Sequence, residues 1–426
     1  MDMWLLFLLC LALRVPAWSR CRQSCDLVCR GEATECTAAC VSSCESGARR
    51  TEDPYLSLEF VTALDADANE VTGSDSPNAN MYFTTRNGKV YRFDPSMHQI
   101  NVVHTINPLL LDTRNNKGLY DIKFHGRYDG HTNRRVYLHY ATPSDEEGVD
   151  HYNVIAEYEV VDEQTSDTES FRFLRTIKRI PQLNMMRSGG WLGTHLRNTH
   201  EGDWLYFATG GNIDESVEAV RAVPYLSTVW GVRPDITDGT GEMANRRWAS
   251  GVKNPISCDA SFFEAGWFHC LLEDAHGAVH VQKVERGFNY GSPNYVRDCK
   301  GENCDSDRPS KASRTAPLTS FVADGCPVHS LQLYTGSKSI EFKLAKLMIR
   351  SSCYSSASNT YAPLEIRKLY SDKVGWDTVV VPTRTPENYL VNASLVGADR
   401  HDELFVSGYS LHEGRYNLYR VNFIKP

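Results

Sequence analysis

From residue 55 onward, hydrophobic and polar positions alternate in short runs that favour β-strands over helices. The runs are rich in β-branched and aromatic residues and are bounded by Gly, Asn, Asp and Pro. Most occur as pairs separated by a turn, and no long amphipathic helix pattern interrupts them. The clearest runs are Asn80–Phe83 with Gly88–Phe93, Arg135–Leu138 with Ile155–Tyr158, Trp204–Phe207, Trp267–Cys270 with Val279–Val281, and Glu403–Val406 with Asn417–Val421.

These units recur at roughly 55–70 residues, more than an ordinary propeller blade needs, and long loops account for the excess. Repeating sheets around an axis leaves few exposed edges, so the pattern predicts an all-β propeller over residues 55–426. An array of two-sheet sandwiches is the alternative. If the sheets close into a ring, the run Asn417–Phe423 should adjoin the sheet built from Leu56–Phe93.

The start of the chain predicts a signal peptide over residues 1–19. The apolar run Leu5–Leu13 is too short to span a bilayer, Pro16 breaks it, and the small residues Ala17 and Ser19 suit cleavage. A buried N-terminal helix is the alternative. No later run is apolar enough to span a membrane, so we expect a secreted or lumenal protein with no membrane span. Asn392 begins an Asn-Ala-Ser sequon and is a candidate glycosylation site.

The cysteines agree with an oxidising compartment. Cys10 lies in the signal segment, and the remaining cysteines are even in number, as expected for disulfides. Six of them form two runs with a spacing of four residues: Cys21, Cys25 and Cys29, then Cys36, Cys40 and Cys44. On a helix, this spacing places the cysteines of each run on one face. Many connectivities are possible, and geometry alone favours a helical hairpin over residues 20–45 in which the two runs face each other. A polar linker over residues 46–54 follows. The bonds of the hairpin are Cys21–Cys44, Cys25–Cys40 and Cys29–Cys36. A metal cluster is the alternative.

The later cysteines are paired by their positions along the chain. Cys258 and Cys270 flank a predicted strand hairpin, and Cys299 and Cys304 lie close together in a polar loop. We therefore expect the pairs Cys258–Cys270 and Cys299–Cys304. The pair Cys326–Cys353 follows only by elimination.

The net charge of the chain argues against two classes of binding partner. The net charge of -8 argues against nucleic acid and against anionic membranes as bulk electrostatic partners. With 41% hydrophobic and 23% charged residues, the chain has an ordinary globular composition.

Several segments, in order, resemble the glucose/sorbosone dehydrogenase and Hedgehog-interacting-protein-like propellers, over roughly Pro54 to Phe423. This resemblance implies a six-bladed β-propeller. The segments are Gly118–His125, Arg135–Tyr140, Arg187–Leu192, Trp204–Gly211, Ser250–Pro255, Glu285–Gly291 and Asp402–Val406 with Tyr419–Val421.

The resemblance also implies a chemistry. Enzymes of this family oxidise aldoses with pyrroloquinoline quinone (PQQ), held over Ca²⁺ on the propeller's central face, and a histidine acts as general base. The resemblance places Lys253 and Asn254 at quinone-contacting positions, and Asp274 and Tyr290 near the calcium site.

Four functional positions depart from the family pattern. Arg187 stands where the base belongs, and a guanidinium cannot accept a proton. Lys253 replaces an arginine and lacks its planar fork. Gly211 replaces an acid, and Ser292 replaces a tryptophan.

The main interpretation is therefore a propeller that has lost its catalytic chemistry and binds an extracellular or lumenal protein or glycan. Arg187 and Lys253 together suit an anionic guest. The alternative is a PQQ-dependent aldose dehydrogenase, in which His195 or His200, just after the altered motif, would replace the missing base. PQQ is expected only for the enzyme, and Ca²⁺ is a candidate cofactor.

Overall fold

The structure is a computed structural model, and it describes most of the chain between residues 55 and 424. The described residues are 55–66, 68–73, 80–94, 99–162, 169–183, 189–194, 204–210, 225–237, 243–252, 254–260, 267–273, 279–290, 319–321, 328–333, 346–350, 353–355, 360–362, 365–372, 375–381, 390–398 and 403–424. The predicted signal peptide, cysteine hairpin and linker lie outside these residues.

The described chain is all-β, and consecutive strands pair antiparallel in four-stranded sheets, here called quartets. The first quartet contains β2 (Ala68–Gly73), β3 (Met81–Thr85), β4 (Lys89–Asp94) and β5 (Gln99–Thr105). The second contains β6 (Leu119–Phe124), β7 (Arg135–Pro143), β8 (His151–Asp162) and β9 (Glu169–Gln182). The third contains β10 (Gly189–Thr194), β11 (Leu205–Thr209), β12 (Thr228–Thr237) and β13 (Met243–Ser250).

Three further quartets follow the same plan. The fourth contains β14 (Pro255–Ala260), β15 (Trp267–Glu273), β16 (Val279–Glu285) and β17 (Thr319–Phe321). The fifth contains β18 (Val328–Leu333), β19 (Lys346–Arg350), β22 (Glu365–Asp372) and β23 (Gly375–Val381), with a hairpin of β20 (Cys353–Ser355) and β21 (Thr360–Ala362) inserted. The sixth contains β24 (Leu390–Ala398), β25 (Leu404–Ser410), β26 (Arg415–Ile424) and β1 (Tyr55–Leu64).

The two ends of the described chain meet in the sixth quartet. β1 is the neighbour of β26, and Asn422 Nδ2 donates to Glu59 Oε2 at 3.2 Å. The predicted meeting of the last strand with the start of the domain is therefore observed, with one correction. β1 completes the last quartet, whereas Met81–Thr85 and Lys89–Asp94 belong to the first. A parallel pairing of β2 with β24 joins these two quartets into one eight-stranded sheet.

The first strands of the quartets contact one another in a closed cycle. β2 contacts β6, β6 contacts β10, and the series continues through β14, β18 and β24 back to β2. The compact unit that contains the cycle spans Ser57–Asn422.

Hydrophobic side chains fill the spaces between neighbouring quartets. Leu138 packs in a cluster shared by the first and second quartets, and its neighbour Tyr137 packs in a cluster shared by the second and third. Successive strand residues point to opposite faces, so both faces of β7 are covered. β3 and β11 are buried at every position for the same reason, which explains the consecutive apolar residues Met81–Phe83 and Leu205–Ala208.

Helical structure in the described chain is limited to two short 3-10 turns between β5 and β6, Pro108–Leu110 and Arg114–Asn116. No helix among the described residues is long and apolar enough to cross a membrane.

Candidate functional site

Strand register brings two of the family-like segments to one end of the third quartet. Gly189 of β10 pairs with Thr209 of β11, Thr209 with Thr228 of β12, and Thr228 with Ser250 of β13. Gly189 begins β10 at this end, and Ser250 ends β13 at the same end. The structure therefore places the strand ends that flank Arg187 and Lys253 on one side of the sheet. Both of these side chains lie outside the described residues.

The loop after β13 has an unusual backbone. Gly251 and Asn254 have φ values of 65° and 26°, and Ser227 across from them has a φ of 51°. Positive φ is rare for residues other than glycine and costs energy, so such residues persist only where their surroundings hold them. The backbone N–H of Val252 donates to the Ser227 carbonyl at 2.9 Å and ties the two segments together.

Asn254 is buried and forms two hydrogen bonds with Glu273, the last residue of β15. Its Nδ2 donates to Glu273 Oε2 at 2.8 Å, and its carbonyl accepts from the Glu273 backbone N–H at 3.2 Å. The side chain is 4% exposed. With one N–H directed at the carboxylate, the amide orientation is set, and Oδ1 and the second N–H remain for another partner.

Tyr290, which the family resemblance implies to be near the calcium site, lies at the same end of the third quartet. Its backbone N–H donates to the Ser250 carbonyl at 2.8 Å. Its hydroxyl donates to the Lys283 carbonyl at 2.8 Å and accepts from the Glu285 N–H at 2.7 Å. The structure thus gives the phenol a role in fastening the chain after β16 to β13. Asp274 lies outside the described residues, and among those described no group of three or more His, Cys, Asp or Glu side chains could hold a metal ion.

The start of β10 packs tightly against the second quartet. A Cβ on Gly190 would lie 2.7 Å from Cγ of Tyr120, so only glycine fits this approach. The Tyr120 ring meets the His139 ring edge-on at 5.4 Å. His139 is fully buried, and burial lowers its pKa to about 3, so the imidazole is neutral at physiological pH. His195 and His200, the candidate substitute bases, lie outside the described residues.

A buried ionic cluster, absent from the sequence predictions, supports the chain leading into β6. Lys117 Nζ lies 2.7 Å from Asp112 Oδ2 and 2.6 Å from Asp150 Oδ2. Asp150 Oδ2 also lies 2.8 Å from His151 Nδ1. Burial opposes ionisation of Asp112, yet hydrogen bonds from Arg114 and Lys117 prevail and lower its pKa. Because these residues are scattered between two loops, no spacing in the sequence marks them as a cluster.

Of the cysteine pairs expected from the sequence, Cys258 and Cys270 can be seen. They are directly opposite in β14 and β15 and form a disulfide. Cys353 begins β20, while its expected partner Cys326 and both Cys299 and Cys304 lie outside the described residues. Asn392 lies within β24.

Comparison with known proteins identifies the family. The Glucose / Sorbosone dehydrogenase family matches residues 74–350, more than half of the chain. None of the curated proteins matches the chain.

Solved structures share the fold at low sequence identity. A glucose dehydrogenase has a TM-score of 0.62 at 15% identity, covering 86% of this chain and 99% of its own. The soluble aldose sugar dehydrogenase of Escherichia coli, solved in the apo form, has a TM-score of 0.61 at 14% identity, covering 86% and 99%. The PQQ-bound aldose sugar dehydrogenase of Streptomyces coelicolor has a TM-score of 0.58 at 12% identity, covering 88% and 99%. The matched residues, together with this fold, show that the chain belongs to the glucose/sorbosone dehydrogenase family.

Proposed function

We propose that this chain is a sugar oxidoreductase that works with PQQ and is built on a six-bladed β-propeller. The family match and the PQQ-bound neighbour from Streptomyces coelicolor support this activity over the binding role that the sequence first suggested. The closed cycle of first strands supports the count of six blades, one for each quartet.

The observation that carries the proposal is the construction of the loop around Asn254. By resemblance, this residue stands at a quinone-contacting position. Here its amide is buried and fixed by Glu273 on a backbone with positive φ, while Oδ1 and one N–H remain to meet a ligand. Such preorganisation is what a cofactor site requires, since the polar groups need no rearrangement when the ligand binds. Asn254, the described residue at this position, therefore has the chemistry expected of a quinone contact.

Each assigned side chain would have a separate role in binding the quinone or in proton transfer. Asn254 would orient the ring system, and Lys253 and Arg187 would place positive charge beside its carboxylates and its developing negative charge. The quinone would supply the acceptor for a hydride from the anomeric carbon of the sugar. A group must also take the proton of the anomeric hydroxyl; Arg187 cannot, so His195 or His200 is assigned this role. Ca²⁺ is proposed as the accompanying ion.

The test is dye reduction by the purified chain with PQQ, Ca²⁺ and a panel of aldoses. We expect turnover that Asn254→Gly lowers, because glycine accepts the positive φ but removes the amide. Asn392→Gln, in a different quartet, serves as the control. We also expect His195→Ala or His200→Ala to remove turnover. If the wild type neither reduces the dye nor binds PQQ, the oxidoreductase proposal fails.

A second candidate is kept because Arg187 replaces the family's base. In that case the chain is a binding protein whose cleft, lined by Arg187 and Lys253, takes an anionic group of an extracellular protein or glycan. This candidate predicts no aldose turnover, and it predicts anion binding that Arg187→Gln weakens. If Arg187→His creates turnover in an inactive wild type, catalytic loss at this position is established directly.

Four further properties of the chain follow from its sequence. We propose secretion after removal of residues 1–19, a disulfide-linked helical hairpin over residues 20–45, glycosylation at Asn392, and a relationship to Hedgehog-interacting-protein-like propellers. Mass spectrometry of the secreted chain, with non-reducing peptide mapping, tests the first three. A disulfide between the hairpin cysteines and those after residue 258 would exclude the nested pairing.

A further inference from the structure

Glu273 ends β15 and contacts Asn254 through both its backbone and its side chain. Its backbone N–H donates to the Asn254 carbonyl at 3.2 Å, which extends the pairing of β14 with β15 beyond Pro255 and Leu272. Its Oε2 accepts a hydrogen bond from Asn254 Nδ2 at 2.8 Å. One residue of the fourth quartet therefore holds both the main chain and the amide of Asn254.

The chemistry of this pair determines which way the Asn254 amide faces. An ionised carboxylate accepts hydrogen bonds and donates none, so it selects the Nδ2 side of the amide and excludes the Oδ1 side. Asn254 is buried, so turning the amide away from Glu273 would remove a hydrogen bond that water does not readily replace. The carboxylate of Glu273 therefore determines that Oδ1 and one N–H of the amide are left to meet a ligand.

The hairpin that carries Glu273 is braced next to this pair. Cys258 of β14 and Cys270 of β15 are directly opposite each other and are joined by a disulfide. Both cysteines are buried, as is Leu272, the residue before Glu273. A disulfide allows only a narrow range of separations between its two Cα atoms, so it limits movement of β15 away from β14. The Glu273 carboxylate is therefore kept within hydrogen-bonding distance of Asn254.

We propose that Glu273 is a positioning residue for PQQ, which acts through Asn254 by holding that amide in the orientation that contacts the quinone. The inference rests on the proposed function, because Asn254 is assigned to the quinone by resemblance. An amide that is fixed before the ligand arrives loses less conformational freedom on binding. Without the carboxylate, the buried Nδ2 would lack its acceptor, and the amide would turn toward other partners. The affinity for the quinone should fall as a result.

The experiment measures the Kd for PQQ in the presence of Ca²⁺, by equilibrium dialysis of the purified full chain without sugar. Glu273→Leu has a side chain of similar size but no acceptor for Nδ2. Its Kd should be raised by about tenfold or more, since hydrogen bonds to charged groups are the strong ones. Glu273→Gln keeps a carbonyl oxygen that can accept from Nδ2, so its Kd should lie closer to that of the wild type.

A double-mutant cycle tests whether Glu273 acts through Asn254. Asn254→Gly removes the amide, so adding Glu273→Leu to this variant should raise the Kd for PQQ no further. A direct contact of the carboxylate with PQQ or Ca²⁺ would persist without the amide, and the second substitution would then weaken binding again. If Glu273→Leu does not fold, Glu273→Ala takes its place in the cycle, and the melting temperature of each variant is the check of folding.

Glu285→Leu is the matched control. Glu285 ends the neighbouring strand β16 at the far end from Glu273, since it pairs with Trp267 whereas Glu273 pairs with Val279. The control variant should bind PQQ with the wild-type Kd.

The outcomes separate this inference from the proposed function. If the wild type binds no PQQ, the oxidoreductase proposal fails and this inference fails with it. If the wild type binds PQQ, the inference alone is overturned when Glu273→Leu binds as tightly as the wild type, or when Glu285→Leu weakens binding equally. It is also overturned if Glu273→Leu weakens binding in the Asn254→Gly background. Equal losses in Glu273→Gln and Glu273→Leu would overturn it as well, because the charge rather than the accepted hydrogen bond would then be responsible.

Discussion

Asp121 of β6 accepts a 2.6 Å hydrogen bond from the backbone N–H of Leu192 in β10. Both residues are buried, and the bond crosses from the second quartet to the third. The resemblance to the family places Asp121 where a glycine is usual. The Asp121 carboxylate therefore links β6 to β10, the first strands of neighbouring quartets, which do not pair with each other in a sheet.

Removal of this carboxylate should loosen that junction. Asp121→Ala leaves the Leu192 N–H buried without an acceptor, and we expect the free energy of unfolding to fall by about 1–3 kcal/mol. Urea unfolding followed by tryptophan fluorescence measures the change. Asp162→Asn is the control, because Asp162 is 70% exposed in its pair with Arg134 and should contribute less than about 1 kcal/mol. Equal effects of the two substitutions would contradict the assignment.

Lys117 should be the most sensitive residue of the buried ionic cluster. Lys117→Met removes the cation that lies between Asp112 and Asp150, and breaking a buried ion pair costs about 3–5 kcal/mol. We expect a large loss of thermal stability. A wild-type melting temperature in this variant would show that the cluster is solvated in solution.

The same cluster predicts how stability depends on pH. The pKa values of Asp112 and Asp150 are lowered in the folded protein, despite burial, by hydrogen bonds from Arg114 and Lys117 and from Lys117 and His151, respectively. Their contribution is therefore present above the ordinary aspartate pKa of 3.8 and is lost as the pH falls through the lowered values. Urea unfolding from neutral pH to about pH 2, which crosses the ordinary aspartate pKa of 3.8 and approaches the lowered values, should show the wild type losing stability more steeply than Lys117→Met. Parallel curves would assign the acid sensitivity to other groups.

The Cys258–Cys270 disulfide should stabilise the fourth quartet. It closes a loop with a sequence separation of 12, and such a bond typically contributes about 2–4 kcal/mol. The double variant Cys258→Ala/Cys270→Ala should melt at a lower temperature than the wild type, and a reductant should lower its melting temperature less than it lowers that of the wild type. A reductant effect that persists in the double variant would point to other cysteines.

Substitutions at Asn254 should separate backbone strain from its hydrogen bond. Asn254→Ala loses the bond to Glu273 and places an ordinary side chain at a φ of 26°, whereas Asn254→Gly loses the bond but relieves the strain. We expect alanine to be the more destabilising by about 1–2 kcal/mol. Equal stability of the two variants would indicate that the loop changes its backbone conformation when the amide is removed.

The strands could be predicted from the sequence because their signal is local. Runs such as Arg135–Leu138 and Asn417–Val421 combine β-branched and aromatic residues and appear within β7 and β26. The sequence also predicted that the last strand meets the start of the domain, but it assigned β1 to the first quartet, whereas β1 completes the sixth. Its pairing with β26 depends on which distant edge remains open after the other strands have assembled, and no local pattern records this.

Part of the candidate site could likewise be predicted from the sequence, and part could not. Asn254 could be singled out because it lies in a segment similar to a known family. Glu273, which fixes its amide, comes from another strand, and only the register of β14 and β15 brings the two together. The stacking of Arg246 against Trp204 and Trp248 was not predicted for a related reason, since Trp204 comes from a different segment and meets the other two only in three dimensions.

The neighbouring positions of β1 and β26 also bear on how the protein is made. Glu59 and Asn422 are 363 residues apart in sequence, so β1 emerges from the ribosome long before its partner exists. Until then its hydrogen-bonding edge is unoccupied and available to another strand. Domains dominated by such distant contacts fold slowly, and their exposed edges invite association with other chains. Nascent copies of this protein are therefore expected to depend on chaperones until the final strand is released.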